Sequence, residues 1–198
     1  MAHPVREVGK VLSDVEGTAR LPGLVAYTVG FSTRTPEELV AMLRGASVAS
    51  LVDVRTVPRS RYTPQWNQER AAAELLGHGI RYHHLPQLGG FRKPRPDSPN
   101  VGWRNPAFRG FADHMATADF AAGLESLLSL AAETPTAIAC TEAVPWRCHR
   151  SLIADALIVR GAQVGHLMGP ASIRPHALTA FARVHGLRLT YPDPDALL

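Results

Sequence analysis

Lysine is nearly absent from this chain. Of 21 basic residues only Lys10 and Lys93 are lysines, so its positive charge rests on arginine. Arginine's planar fork suits phosphates and carboxylates. A GC-rich coding sequence produces the same bias, so the placement of the arginines carries the argument and their number does not. Cysteine is equally scarce: Cys140 and Cys148 are the whole supply. Two cysteines make no disulfide framework, and a reducing compartment keeps them as thiols. No stretch approaches the ~20 apolar residues of a membrane span. The opening "MAHPVREVGKVLSDVEGTARLPG" carries charges where a signal peptide needs an apolar run. Membrane insertion is therefore not expected, and cytoplasm is the expected location. No internal repeat is evident.

What remains is a chain of 198 residues with 45% hydrophobic content, enough for a real core in one domain of ordinary size. The net charge of +4 is a mild excess, weaker than a dedicated nucleic-acid arm shows. Residues 1–22 read as an N-terminal extension, 23–190 as a single α/β domain and 191–198 as a C-terminal tail.

Short apolar runs alternate with amphipathic segments. Strands are expected at 24–32, 48–55, 80–85, 136–140 and 163–168. Helices are expected at 35–46, 67–79, 148–162 and 172–187, with two more over 108–133 that break near Thr117. Thr35, Pro36 and Glu38 form a capping box with proline at the first helical position. Residues 86–106 are rich in Gly and Pro and too long for an ordinary connection, which points to a functional loop. The alternation predicts a Rossmann-like domain, with a mostly parallel sheet of about five strands and helices on both faces. Ligands of such sheets bind beyond the carboxyl ends of the strands, where strand order reverses.

Three predicted strand ends lead into "DVRTVPRSRYTPQW", "PQLGGFRKPR" and "CTEAVPWRCHR". These hold Arg55, Arg59, Arg61, Arg92, Arg95, Arg147 and Arg150 against two acids, Asp53 and Glu142. The expectation is a cationic rim that binds an anion. Asp53 and Arg55 follow a buried strand, where an internal ion pair ordering the loop and a catalytic role are both open. Cys148 is expected in the first turn of its helix, where exposed N–H groups and the helix dipole favour a thiolate beside Arg147 and Arg150. Cys140, at the end of the fourth strand, is a second candidate nucleophile or a resolving thiol. Glu142 is a candidate acid/base, and His149 a candidate for proton transfer.

The segments "YTVGFS", "LVDVRTVPRSR", "GIRYHHLPQLGG" and "ACTEAVPWRCHRSLIA" resemble the motif set of the domain-of-unknown-function family 488. The resemblance implies a single small α/β domain. Its motif residues fall on Asp53, Arg55, Pro58, Ser60, Gly89, Gly90, Cys140, Glu142, Cys148, His149 and Arg150. A looser likeness is to rhodaneses and related phosphatases, which place a Cys after a central strand and close the loop on an Arg. Here the stretch from Cys140 to Arg147 is one residue longer, and Glu142 and Pro145 stand where those enzymes use small residues.

The expected catalytic set is thus Cys148, Cys140, Glu142 and His149. The expected substrate contacts are Arg55, Arg59, Arg147, Arg150, Asp53, Ser60, Gly89 and Gly90. Cys140, Glu142, Cys148 and His149 are all metal-ligand types, but their spacing fits no standard zinc pattern; no metal or other cofactor is expected, with a metal ion left open. The expected function is an enzyme of hydrolase or transferase type on a phosphorylated or other anionic substrate, a nucleotide or nucleic acid. The alternatives are a non-catalytic nucleic-acid-binding module and a rhodanese-like thiol enzyme.

Overall fold

The computed structural model describes residues 23–197; the expected N-terminal extension lies outside them. In chain order the elements are β1 (Val25–Gly30), α1 (Pro36–Gly45), β2 (Ser50–Asp53), α2 (Gln68–Gly77), β3 (Arg81–His84), α3 (Pro106–His114), α4 (Ala118–Glu133), β4 (Thr136–Cys140), α5 (Arg150–Val159), β5 (Gln163–Gly169), β6 (Ser172–Pro175), β7 (Arg183–His185) and β8 (Arg188–Thr190). Six strands form one sheet in the order β3-β2-β4-β1-β5-β6, and β7 and β8 form a separate hairpin. Strands β1 to β5 pair in parallel; β6 runs antiparallel to β5.

The helices form where local chemistry favours them. Thr35 and Glu38 close the capping box reciprocally ahead of α1. Thr117 accepts from the Phe120 N–H and starts α4, which separates it from α3. Period-two alternation splits the strands between two cores. Leu51, Ala137 and Ala139 join α1 and α2 on one face, while Val52, Ile138 and Cys140 join α3, α4 and α5 on the other. No helix among the described residues is long and apolar enough to cross a membrane.

Two expected helical assignments fail. The segment 172–187, expected to be helical after Pro175, is not a helix: β6 ends at Pro175, and an irregular stretch, β7 and the turn at Gly186 with φ +61° lead into β8. Its alanines favour helix, but Asp155 of α5 captures His176, the Thr179 hydroxyl and the Thr179 N–H, which unrolls the segment over the sheet edge. Helix α5 also begins later than expected. A single 3₁₀ turn over Pro145–Arg147 ends in extended backbone at Cys148, so neither Cys148 nor His149 lies within the helix. Tyr191, first residue of the expected tail, is buried, and its hydroxyl donates to Asp155.

The strand ends are in line. Gly30 of β1 pairs with Cys140 of β4, and Asp53 of β2 lies between Ala139 and His84. The chain leaves β1 toward β2 and leaves β4 toward β5, in opposite directions, so strand order reverses between β1 and β4. That is where a ligand crevice belongs.

Candidate functional site

The backbone itself closes the reversal point. A Cβ on Gly30 would lie 2.0 Å from the carbonyl oxygen of Glu142. Only glycine lets the loop after β4 ride over the end of β1. Arg150, 1% exposed, then holds the loop from below: Nη1 donates to the Glu142 carbonyl and Nη2 to that of Ala143. Its Nε is buried with no partner. The expected substrate contact at Arg150 is therefore a buried loop clamp.

Arg55 is likewise committed. Asp53, fully buried, receives both Arg55 Nε and Nη2, the Arg55 backbone N–H and the Tyr82 hydroxyl. A further donation goes from Arg55 Nη2 to the Trp66 carbonyl, and the guanidinium lies over the Phe31 ring. Burial and the Asp53 charge push the Tyr82 hydroxyl upward in pKa. Of the two readings open for Asp53 and Arg55, the geometry is the internal ion pair.

The wider cationic rim is also spent locally. Arg92 donates to the Gly89 and Pro86 carbonyls, Arg95 pairs with Asp97, and Arg61 stacks on Tyr62. Arg59 and Glu69 are an exposed pair at 3.7 Å. Ser60 builds its own turn, accepting from the Tyr62 and Thr63 N–H groups, while its N–H donates to Asn67. Neither Arg59 nor Ser60 joins the cysteines.

What does converge is a compact trio. The Nδ1 of His149 lies 3.9 Å from Cys140 Sγ and 3.8 Å from Cys148 Sγ, and the three donor atoms fall within 4.8 Å of one another. Cys140 is 7% exposed and Cys148 3%. His149 Nε2 donates to the Val54 carbonyl at 3.3 Å, so in the neutral ring Nδ1 presents its lone pair to the sulfurs. Gly90 makes room: a Cβ there would meet Nδ1 at 2.4 Å. Gly89 does the same for Thr56, and Phe111 packs on the imidazole at 4.7 Å. Adjacent residues seldom aim at one point; here extended backbone at Cys148 is followed by helical backbone at His149, and the kink unites them.

The thiols differ. Cys148 is held well below the ordinary thiol range, by the neighbouring Cys140 thiol first, with burial opposing, and then by His149 and Arg150. The Cys148 thiol and burial hold Cys140 well above it.

Glu142 and Arg147 are exposed, on the loop bounded by the two cysteines. Together with Trp103, Asn105, Phe108 and Trp146 they line a cavity of about 360 Å³. Trp146 is 56% exposed, with Arg174 stacked on its ring. On its other side lies a cavity of about 330 Å³ that shares Trp103 and Trp146.

Sequence reasoning missed the buried chain below that second cavity. Thr28 Oγ1 and His166 Nδ1 are 2.7 Å apart, His166 Nε2 and His176 Nδ1 3.0 Å, and His176 Nε2 and Asp155 2.8 Å. The members lie far apart along the chain, and no spacing in the sequence links them.

Fold and site together define a single α/β domain with a Cys–Cys–His cluster at its strand-order reversal. The chain belongs to the family described as Domain of unknown function DUF488, whose model matches residues 35–157, more than half its length. No curated protein and no solved structure matches it.

Proposed function

We propose that this protein is an enzyme of hydrolase or transferase type, acting on an anionic substrate that carries an aromatic group, with nucleotides as the favoured class. The observation that carries the reading is the shared cavity of Glu142 and Arg147 between Trp103, Phe108 and Trp146. An exposed guanidinium receives a phosphate, flat side chains receive a base, and a carboxylate beside both is an acid/base group. The Cys140–Cys148–His149 cluster, at the two ends of the same loop, is the reactive centre. Arg147 carries the anion-binding role alone, because Arg55 and Arg150 are committed within the protein.

Quenching of tryptophan fluorescence by nucleoside monophosphates, alongside turnover of nucleotide substrates, tests the reading. Arg147→Ala is expected to weaken binding about tenfold, near 1.4 kcal/mol. Glu142→Gln is expected to bind within about twofold and to lose on the order of 100-fold in turnover. Binding that ignores Arg147→Ala would refute the cleft. Intact binding with no turnover in the wild type would favour the non-catalytic nucleic-acid module. The rhodanese-like route has less support, since the loop turns carbonyls, not N–H groups, toward Arg150.

A further inference from the structure

We propose that Cys140, Cys148 and His149 bind one zinc-class divalent cation. The inference concerns the same cluster as the proposed activity but does not depend on the substrate. Tetrahedral zinc with bonds of about 2.3 Å to sulfur and about 2.0 Å to nitrogen places sulfur and nitrogen ligands ~3.6 Å apart. The observed nitrogen–sulfur separations of 3.8 and 3.9 Å need only a few tenths of an ångström of contraction, and the two sulfurs, within 4.8 Å of each other, close to about 3.8 Å around the ion.

Three further features belong to a metal site rather than to a chance contact. The ring is oriented by a second group: Nε2–H on the Val54 carbonyl leaves Nδ1 as the ligating atom. Gly90 removes the Cβ that would displace Nδ1. Two cysteines and one imidazole in an apolar shell, with Phe111 against the ring, form a soft donor set that selects zinc over magnesium or calcium. The spacing hid this set, because the ligands come from a strand end, a kink and the adjacent residue. Three protein ligands leave a fourth position open, the pattern of catalytic rather than structural zinc.

The test is cobalt titration of the full-length protein, stripped of metal and reduced, with elemental analysis of protein purified without chelator. Expected are one equivalent per chain, a thiolate-to-cobalt charge-transfer band and tetrahedral-type visible bands. Zinc is expected to displace the cobalt. Cys148→Ser and Cys140→Ser should each lose at least ~100-fold in affinity, and His149→Ala at least ~10-fold. Glu142→Gln and Arg147→Ala should leave affinity unchanged, which separates this inference from the proposed activity. Circular dichroism establishes that each variant folds; should a serine variant fail to fold, blocking both wild-type thiols by alkylation replaces it. Absence of stoichiometric uptake with both thiols free, or uptake indifferent to the loss of either sulfur, would overturn the inference.

Discussion

At the residue scale, the site rests on groups that touch no ligand. Gly30 lies beneath the Glu142 carbonyl, and a methyl there would overlap that oxygen at 2.0 Å. Gly30→Ala must lift the loop off the sheet and disturb the carbonyls that Arg150 grips, at a cost on the order of 3 kcal/mol. Gly77→Ala is the matched control. It closes α2, and nothing lies within 4 Å of the added carbon. It is expected to be neutral or stabilising by up to about 1 kcal/mol. Thermal melts of the two variants give the comparison, and equal melting temperatures would contradict the account of Gly30. Asp53→Asn tests the ion pair. It leaves Arg55 buried and unpaired, so a loss of roughly 3–5 kcal/mol is expected by denaturant titration. A loss under 1 kcal/mol would mean that water reaches Arg55.

At the element scale, the sheet edge is joined to α5 through Asp155. That carboxylate takes the His176 ring, the Thr179 hydroxyl and the Tyr191 hydroxyl, and so ties the segment after β6 and the end of the described chain to the helix. His166 on β5 is held neutral, its pKa lowered to about 4 by burial first and then by His176, Arg150 and Arg174, with Asp155 opposing. The unfolded chain protonates this histidine near pH 6.5 while the folded one does not until about 4. The unfolded state therefore binds more protons across that window, and stability falls as pH drops through it, by roughly 3 kcal/mol in total. Stability measured against pH should show this slope in the wild type and a flatter one in His166→Gln. Identical slopes would remove His166 as the source. Nothing of this chain was legible beforehand, because a sequence shows where a histidine is and not which carboxylate it meets. The opposite holds for α1, whose capping box is local and was read from Thr35 and Glu38 alone. The segment 172–187 shows the failure in between: its composition favours helix, and three bonds to one distant aspartate override it. Cys140 and Cys148 stand out in the sequence as candidate thiols at the two ends of one loop. Their meeting with His149 depends on a backbone kink that no spacing rule records.

At the scale of the whole molecule, the question is what a net charge of +4 can do. A broad polynucleotide interface needs many arginines free at once. Here Arg55 and Arg95 are paired with aspartates, Arg92 and Arg150 are bonded to carbonyls, and Arg59 shares its charge with Glu69. The sequence reading counted these residues as one rim; the fold disperses them into local contacts and leaves Arg147 facing the cavity. Each phosphate neutralised on a single strand contributes about −0.7 to the slope of log K against log salt. A cleft that seats one nucleotide and neutralises one phosphate through Arg147 thus predicts a slope near about −0.7 for a short single-stranded oligonucleotide. Arg147→Ala should reduce that slope by about one contact. A slope of about −4 or steeper would require several more phosphate contacts than the Arg147 cleft supplies. It would move the function from an enzyme with a small anionic substrate to a module that grips nucleic acid along its length.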